Sequence, residues 1–427
     1  MRITSIDIEN FKAIDTLQFN PKMLNIFVGR NNTGKTSILQ AIRLSFNKDY
    51  FPDLFFSRPS AALKYGENKA KLELKLAEDK RAMVELEIER SSMNEMGTPL
   101  ENAVKKTFER ALQRVRIMNR VAPKKDDNER RVNEIKKELA ETLNTETILK
   151  MAEKGKLIES AKECVKLTVG NKSDFVPGPT VGAIASELAL QIAGDLNIVD
   201  FLDWSDPRNI RDRYYSLDSL DYYLTSNYYR RRSTRKEARS PSPVLVDNPI
   251  EAIDEITDDK GRQEVIAHEI DQIIKNDKLV PGLTRFNFDK LVLEGVDYDV
   301  SMDSMGDGFK ALIGILASLY QQQKNTIILL EEPEVHMHPG YLQELVKYLV
   351  TLSRTRNIQL FISTHSLDFI SCFLDKSLLS PEDFKFVQSE FYMLLLSRSK
   401  DVITIEETDY NKAVEATETL EWDLRGI

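Results

Sequence analysis

The chain has 427 residues, of which 41% are hydrophobic and 30% charged, and its formal net charge of −9 excludes a surface that is basic throughout. This length allows one large domain with a second domain or a large insertion, around a buried core. No apolar run reaches the roughly eighteen residues of a membrane-spanning helix, and the N-terminus lacks a secretion signal. With only two cysteines, Cys164 and Cys372, which we expect to be reduced and unreactive, the protein is predicted to be cytoplasmic.

Strand and helix patterns alternate over the first ninety residues. Alternating or continuous apolar runs predict strands at 6–8, 17–19, 24–28, 72–76 and 84–88. The last two runs flank a turn at 78–80 and indicate a hairpin. A helix that places Ile38, Leu39, Ile42 and Phe46 on one face is expected after the loop that follows the third run.

The middle of the chain has a different character. Residues 100–167 are rich in Lys, Glu, Arg and Ala, with apolar residues three and four positions apart, which predicts helices. A more buried helix is expected at 181–197. Residues 205–249 have no regular pattern and end in the loop-like sequence SPSPVLVDNP.

Strands and helices alternate again in the last third of the chain. Strands are predicted near 286–288, 291–293, 326–330, 358–362, 391–396 and 402–405. Helices are predicted at 308–322, at 340–353, from 366 onwards and at the end of the chain. This alternation predicts an α/β fold with parallel strands. We expect a core split in sequence, with its N-terminal half at 1–95, a mostly helical insertion at 96–284 and its C-terminal half at 285–427.

A glycine-rich loop gives the strongest signal in the sequence. The residues that match the phosphate-loop pattern G-x-x-x-x-G-K-[ST], with the serine that follows them, are Gly29, Arg30, Asn31, Asn32, Thr33, Gly34, Lys35, Thr36 and Ser37. A buried strand precedes the loop and an amphipathic helix follows it, so backbone N–H groups can hold nucleotide phosphates at the helix N-terminus. Lys35 would neutralise phosphate charge, and the Thr36 hydroxyl would bind Mg²⁺. A chance glycine turn is the alternative.

Two acidic residues end a second buried strand. Glu331 and Glu332 follow the apolar run at 327–330; Glu331 can bind Mg²⁺, and Glu332 can polarise an attacking water. In isolation, such residues would be a solvated strand end. His365 follows the next buried strand, at the edge where α/β sheets bind ligands, and could contact the γ-phosphate or the water.

A serine and two glycines precede an apolar helix. Ser304, Gly306 and Asp307 lie in the sequence DSMGDGF at 303–309, which we call the signature segment. Free backbone N–H groups and a hydroxyl at a helix start can bind an anion. A capped helix start without a ligand is an equally good description of these residues taken alone.

Along the chain the order is phosphate loop, signature segment, acidic strand and histidine, and together the four motifs resemble those of ABC-class ATPases of the chromosome-maintenance and DNA-repair branch. The opening I-x-x-I-x-I-x-N-F-K and the stretches LLEEPEVHMHP and QLFISTHS are most similar to the ATPase part of overcoming-lysogenization-defect (OLD) nucleases and related phage-defence ATPases. The closing WDLRGI also resembles the chain ends of this group, but less specifically. The resemblance covers about residues 1–90 and 285–427.

The resemblance implies an ATPase that binds ATP and Mg²⁺ between two copies of the chain. Ser304 and Gly306 of one copy would face the γ-phosphate bound by the other. Lys35, Thr36, Glu331, Glu332 and His365 would act within one copy. We therefore expect a homodimer that controls DNA binding or a separately encoded effector, such as a nuclease.

The sequence also departs from these families. The signature reads S-M-G-D where S-G-G-Q is usual, the Mg²⁺ acid is Glu331 where Asp is usual, and glutamine is absent between Gln40 and Gln113. OLD nucleases carry a further nuclease domain with a D-x-D motif, but only 62 residues follow His365. The D-x-D at 297–299 lies in an expected strand. We therefore expect an ATPase that is not itself a nuclease.

A basic, tyrosine-rich segment at 208–239 is a candidate partner site. Residues 228–239 hold six basic residues and one acid, downstream of Tyr214, Tyr215, Tyr222 and Tyr223. Basic groups contact phosphates and aromatic rings stack on bases, so DNA is one candidate partner. The alternatives for this segment are a solvated loop and a docking site for a protein effector.

The whole chain has two alternatives to a switch ATPase. One is an interaction module whose output is ATP-dependent dimerisation, and the other is a transporter ATPase subunit.

Overall fold

The computed structural model describes residues 2–47, 50–55, 58–77, 83–90, 93–119, 125–154, 165–169, 172–176, 179–199, 201–202, 244–246, 260–277, 282–295, 297–320, 324–399 and 402–419. Four features singled out in the sequence lie outside these residues: the turn at 78–80, Cys164, the basic segment 208–239 and the closing WDLRGI.

Strands and helices alternate along the described chain. The strands are β1 (Ile3–Phe11), β2 (Ile14–Phe19), β3 (Leu24–Gly29), β4 (Lys69–Leu76), β5 (Met83–Arg90), β6 (Val165–Val169), β7 (Lys172–Val176), β8 (Val244–Val246), β9 (Leu283–Phe286), β10 (Lys290–Leu293), β11 (Val300–Ser301), β12 (Ile327–Glu331), β13 (Gln359–Thr364), β14 (Phe391–Ser399) and β15 (Val402–Asp409). The α-helices are α1 (Lys35–Phe46), α2 (Phe51–Phe55), α3 (Met93–Asn119), α4 (Lys125–Thr142), α5 (Thr145–Lys154), α6 (Pro179–Asp195), α7 (Lys260–Asp277), α8 (Asp307–Tyr320), α9 (Pro339–Arg356), α10 (Leu367–Leu374), α11 (Pro381–Glu390) and α12 (Tyr410–Thr419). Within the described residues, no helix combines the length and the apolar character needed to cross a membrane.

The chain forms two compact units. The first unit comprises 1–47, 71–85 and 240–427, and the second comprises 48–70 and 86–239. All the residues named above as candidates for the ATP and Mg²⁺ site belong to the first unit. Strand β8 and helix α7 also belong to it, although both lie within 96–284, the range that the sequence assigned to the insertion.

A six-stranded sheet is the centre of the first unit. Its strand order is β15-β14-β3-β13-β12-β8, with β15 antiparallel at one edge and all the other strands parallel. Every residue of β3 and β13 is buried, as is typical of central strands in α/β sheets. The structure therefore confirms the predicted α/β class and its parallel strands.

The strand register brings the predicted motifs to one edge of this sheet. Glu331, the last residue of β12, lies beside Ser363 of β13, and β13 lies between β12 and β3. Gly29, the last residue of β3, lies beside Leu396 of β14. Because parallel strands end at the same edge, the loops after β3, β12 and β13 are neighbours there.

A buried amide joins the first strand to the central sheet. Gln359 is fully buried, and its Nε2 donates to the carbonyl oxygens of Ile3 at 3.0 Å and Lys22 at 2.8 Å. Its Oε1 accepts from the Ile3 N–H at 2.8 Å. Strand β1 also pairs antiparallel with β2 and with β4. The bonds made by Gln359 satisfy buried backbone groups and hold the start of β1 against β13.

Cys372 lies inside the core of the same unit. It is a free cysteine in α10 and is buried. Burial raises the pKa of its thiol to about 11, so the reactive thiolate is scarce at neutral pH. This agrees with the prediction of an unreactive thiol at this position.

The second unit is mostly helical but also contains strands. Helices α3 to α6 share a hydrophobic core that includes Phe108, Ile135, Ile148 and Leu188. Strand β6 pairs antiparallel with β7 and with residues 86–90 of β5. The prediction of helices throughout 100–167 is therefore wrong at its C-terminal end. The sequence VKLTV alternates as a strand should, but five residues are too few to outweigh a helical composition.

Two further predictions about local structure are wrong. Residues 297–299, which carry the D-x-D sequence, lie in the loop before β11, where Asp299 Oδ2 pairs with Lys290 Nζ at 3.1 Å. The loop-like SPSPVLVDNP contains the strand Val244–Val246, which pairs parallel with β12. Three apolar residues between prolines give no periodicity, so only the pairing with the sheet reveals this strand.

Candidate active site

The glycine-rich loop at 29–36, here called the phosphate loop, joins β3 to α1. Its backbone is left-handed at Gly34, where φ is 99°, and at Asn32, where φ is 65°. A Cβ placed on Gly29 would lie 2.2 Å from the carbonyl oxygen of Leu396 in β14. The loop therefore starts so close to the neighbouring strand that only glycine fits.

Other residues of the loop differ in exposure. Asn31 and Asn32 are exposed, whereas Thr33 is buried and its Oγ1 donates to the carbonyl oxygen of Arg30 at 2.8 Å. Ser37, which was also predicted to contact the nucleotide, is buried in the first turn of α1. The tip of the loop is thus open, while the bond made by Thr33 stabilises its shape from within.

Lys35 folds back over the loop that precedes it. Its Nζ donates to the carbonyl oxygens of Gly29 at 2.7 Å and Arg30 at 3.1 Å. Burial lowers the pKa of Lys35, and three neighbouring carboxylates act against that shift: Glu332, Glu334 and Glu331. An ammonium held by neutral carbonyls can exchange them for phosphate oxygens, which bind a cation more strongly because they are charged.

A hydroxyl and a carboxylate meet beside the phosphate loop. Thr36 Oγ1, in the first turn of α1, donates to Glu331 Oε1 at the end of β12. Mg²⁺ is usually bound by one or two protein oxygens together with substrate phosphates and water. The two residues predicted to bind the metal are therefore brought together, and their oxygens are of the type it prefers.

Lys12 lies near the same carboxylate and was not predicted to belong to the site. It occupies the turn between β1 and β2 with a φ of 54°, and its Nζ donates to Gln40 Oε1 at 2.8 Å. Burial lowers the pKa of Lys12, and the charge of Glu331 acts in the opposite direction. Nothing in the local sequence indicates this position, because the fold alone brings the first turn to α1 and β12.

Glu332 and His365, predicted as catalytic residues, are in contact. His365 Nδ1 lies 3.2 Å from Glu332 Oε1, and their side chains are 46% and 30% exposed. Glu332 has a φ of 44°, a conformation that costs a non-glycine residue energy and is frequent at functional sites. Its N–H donates to the carbonyl oxygen of Ser363 at 2.9 Å, which holds the strained turn against β13. A carboxylate and an imidazole are thus open to solvent at the edge that carries the phosphate loop.

A third carboxylate lies buried beside this pair. Glu334 is only 8% exposed, and its Oε1 accepts from Thr364 Oγ1 at 2.5 Å and from the His365 N–H at 3.3 Å. Its Oε2 has no hydrogen-bond partner among the described residues. Burial raises the pKa of Glu334, although the hydrogen bond from Thr364 opposes this. No role was predicted for Glu334, since a glutamate after a proline carries no signal of burial.

The signature segment lies at the surface of the first unit. Ser304 ends a short 3₁₀ turn and is exposed, and a Cβ placed on Gly306 would meet no atom within 4 Å. Asp307 begins α8 and is also exposed. In the part of the chain that the structure describes, no hydrogen bond joins Ser304 or Gly306 to the phosphate loop. Within the described residues of a single chain, these two parts of the predicted site are therefore not joined by a hydrogen bond.

Gly308 ties the signature segment to the turn after β12. A Cβ placed on Gly308 would lie 2.4 Å from the carbonyl oxygen of His336, so main chain touches main chain at this point. His336 itself has a left-handed φ of 69°. The start of α8 and the turn that carries Glu332 and Glu334 are thus packed without intervening side chains.

Residues 1–370 match a family model described as an AAA ATPase domain. The chain belongs to the AAA ATPase domain family. One relative, an uncharacterized protein of Methanocaldococcus jannaschii, is 30% identical over 122 residues, which make up 29% of this chain and 100% of that protein.

Solved structures of SMC head domains are remote likenesses of this AAA ATPase domain. The SMC head domain from Thermotoga maritima has a TM-score of 0.45 and 12% identity, over 96% of this chain and 100% of that one. An SMC head bound to the C-winged helix domain of ScpA has a TM-score of 0.48 and 12% identity, over 97% and 100%. An SMC head with an extended coiled coil from Pyrococcus furiosus, bound to the C-terminal domain of ScpA, has a TM-score of 0.41 and 11% identity, over 98% and 99%.

The residues of the AAA ATPase domain fit a nucleotide with Mg²⁺. A Cβ at Gly29 would overlap β14, so the loop leaves only main chain at its base. Lys35 supplies a positive charge at the loop, and Thr36 with Glu331 supplies a hydroxyl and a carboxylate already in contact. The loop would therefore hold the phosphates, and Thr36 and Glu331 would hold the metal ion.

Replacing Glu334 with glutamine should stabilise the AAA ATPase domain, and increasingly so as the pH rises. The pKa of Glu334 is raised above its ordinary 4.5, so the folded chain binds more protons than the unfolded chain above that pH. The stability that depends on this proton is complete below about pH 4.5 and is lost as the pH rises through the folded pKa. Glutamine does not titrate, so the variant keeps its stability.

Urea unfolding of wild type and Glu334→Gln between about pH 5 and pH 8 measures the effect as a growing difference in unfolding free energy. Glu264→Gln, at an exposed position of α7, is the matched control and should show no such trend. A difference for Glu334→Gln that stays constant across this range would contradict the expectation.

Proposed function

We propose that this AAA ATPase domain is an ABC-type ATPase that hydrolyses ATP between two copies of the chain. It acts as a switch on DNA or on a separately encoded effector such as a nuclease, as the resemblance to OLD-type phage-defence ATPases suggests. One observation carries the proposal. The phosphate loop, Glu331, Glu332 and His365 lie together at one edge of the parallel sheet, with Thr36 in contact with Glu331 and Glu332 beside His365.

Each residue has a distinct task in this proposal. Lys35 leaves the carbonyl oxygens of Gly29 and Arg30 and binds phosphate oxygens of ATP. Thr36 and Glu331 would hold Mg²⁺, which would supply positive charge beside the phosphates. A water that attacks the γ-phosphate is oriented by the Glu332 carboxylate, which also accepts its proton.

His365 supports Glu332 and the γ-phosphate from the same side. Its Nδ1 lies 3.2 Å from Glu332 Oε1, close enough to fix the orientation of the carboxylate. The other ring nitrogen can donate to a phosphate oxygen when it carries a proton. The imidazole would therefore link the carboxylate that positions water to the group under attack.

The exposure of the signature segment supports the dimer. Ser304 and Gly306 are exposed, and α8 begins directly after them, so its N-terminus can hold an anion brought by a second chain. In a two-fold dimer each chain offers this segment to the other, which gives two equal ATP sites. The departure from S-G-G-Q leaves the serine and one glycine in place.

Mixing two inactive variants tests whether the site is shared. Lys35→Ala removes the phosphate-binding lysine, and Gly306→Arg blocks the signature surface without a clash inside its own chain. Each variant alone should hydrolyse no ATP. In an equal mixture half the dimers are mixed and contain one intact site, so about a quarter of the wild-type rate should return.

The controls separate dimerisation from ATP binding. Gly306→Arg should still bind ATP with the affinity of the wild type, because a Cβ at this position meets no atom within 4 Å. A mixture that stays inactive, or a Gly306→Arg protein with the full rate, would contradict the shared site.

Purification with the products of neighbouring genes, followed by ATP-dependent DNA cleavage and DNA-binding assays, tests the effector. Failure of all these assays would contradict the switch function.

A further inference from the structure

A chain of hydrogen bonds runs from the turn after β12 to the helix after β13. Glu334 Oε1 accepts from Thr364 Oγ1 at 2.5 Å and from the His365 N–H at 3.3 Å. Thr364 Oγ1 accepts from the Ser366 N–H at 3.0 Å. Ser366 Oγ accepts from the Phe369 N–H at 3.2 Å and so caps α10. Glu334 is thus the first member of a chain that fixes the loop carrying His365.

Two glutamates of one turn hold His365 at two points. Glu334 binds its backbone N–H, whereas Glu332 contacts Nδ1 of its imidazole at 3.2 Å. Pro333, which is buried, separates the two glutamates and restricts the backbone between them. The shape of this turn therefore sets the position of the imidazole relative to the Glu332 carboxylate.

The burial of Glu334 is not explained by its contribution to stability. The side chain is 8% exposed, and its Oε2 lacks a partner among the residues that the structure describes. A buried polar atom without a hydrogen bond lowers the stability of the folded chain. A glutamine could accept the same two hydrogen bonds through its amide oxygen without burying a carboxylate. A costly group in contact with a site loop is typical of residues kept for function.

We propose that Glu334 is a positioning residue for ATP hydrolysis, which acts through Thr364 and the His365 backbone to hold the imidazole against Glu332. The proposal rests on the proposed function, since it takes Glu332 and His365 as the hydrolytic pair. Glu334 does not touch the nucleotide in this scheme. Its loss should therefore change the turnover rate and leave nucleotide binding intact.

Substitutions that keep or remove the acceptor oxygen test this role. Glu334→Met, of similar size but without a strong acceptor, should lower kcat by about 10–100-fold, as small displacements in active sites do. Glu334→Gln keeps an acceptor and should retain most of the activity. Thr364→Val, which removes the donor hydroxyl, should reproduce the loss, and Thr364→Ser should not. ATP Kd should stay within about twofold in all four variants, because the hydroxyl and carboxyl lie outside the phosphate loop.

A double-mutant cycle with His365 separates positioning from a merely structural role. In a His365→Ala background, Glu334→Met should lower kcat no further, because the residue it positions is gone. Losses that multiply in the double variant would overturn the proposal. Should Glu334→Met fail to fold, Thr364→Val replaces it in the same cycle, with the same expected and contrary results.

A measurement without nucleotide keeps this inference separate from the proposed function. Amide hydrogen exchange over 359–366 should speed up by about tenfold in Glu334→Met and in Thr364→Val, and should not speed up in Glu334→Gln. Absence of ATP hydrolysis in the wild type, combined with this exchange pattern, would overturn the proposed function alone. Normal hydrolysis with unchanged exchange in Glu334→Met would overturn the role of Glu334 alone.

Discussion

Glu332→Gln should lower the rate of ATP hydrolysis by about 10²–10⁴-fold, the usual contribution of a group that transfers a proton in the transition state. The amide has the size of the carboxylate and can still contact His365, but it cannot accept a proton from the attacking water. In the proposed function ATP binding depends on the phosphate loop, on Thr36 and on Glu331, which the change leaves in place. The variant should therefore accumulate as an ATP-bound dimer.

Two measurements check this expectation. Single-turnover hydrolysis gives the chemical rate, and sedimentation with ATP and Mg²⁺ gives the dimer fraction. Glu264→Gln, an exposed change of the same chemistry on α7, should behave as the wild type in both. A wild-type rate in Glu332→Gln would remove Glu332 from the mechanism. A slow variant that keeps its biological function would favour an interaction module whose output is dimerisation.

Gly29→Ala should strongly weaken ATP binding and destabilise the first unit. The new Cβ would lie 2.2 Å from the Leu396 carbonyl oxygen and 2.8 Å from Thr33 Oγ1, so β3 must move away from β14. Main chain in a paired strand cannot rotate aside as a side chain can. We expect a loss of about 1–3 kcal/mol in unfolding free energy, as for other overpacked sites. ATP affinity should fall by at least about a hundredfold, because the displaced loop loses its N–H contacts with phosphate.

Gly66→Ala provides the matched control for this change. Gly66 also has a positive φ, of 90°, but a Cβ there meets no atom within 4 Å. Its substitution should cost about 1 kcal/mol of backbone strain and leave ATP affinity unchanged. Titration calorimetry and thermal unfolding of both variants measure the two effects. Wild-type ATP affinity in Gly29→Ala would show that the loop does not bind the nucleotide as proposed.

Local patterns made part of the site predictable from the sequence. The phosphate loop follows an apolar strand, and Glu331 and His365 follow two more, so their place at the ends of buried strands was visible as a periodicity change. The observed strands β3, β12 and β13 end at these positions within one or two residues. Parallel strands share an edge, which explains why the motifs could be placed together before their contacts were known.

Contacts between distant segments were not predictable in the same way. Lys12 and Glu334 belong to the site because a turn and a buried carboxyl meet residues far away in sequence. Strand β8 is recognisable only through its pairing with β12. Gly306 and Gly308 look equivalent in the sequence. A Cβ on Gly306 would meet no atom within 4 Å, whereas a Cβ on Gly308 would overlap the main chain of His336. Such differences depend on packing, which a single sequence does not encode locally.

The contact between Gly308 and the His336 carbonyl oxygen has a mechanical consequence for a dimeric enzyme. Two main-chain segments in direct contact have no rotamer that could absorb a displacement, so they move together. In the proposed dimer, the signature surface that one chain would offer to its partner's ATP would therefore move with the turn that acts on its own ATP. Closure of one ATP site would then shift the Glu332 carboxylate of the other site, so that hydrolysis of the two ATP molecules would be coordinated. A methyl group added at residue 308, as in Gly308→Ala, would push the start of α8 and the turn at His336 apart.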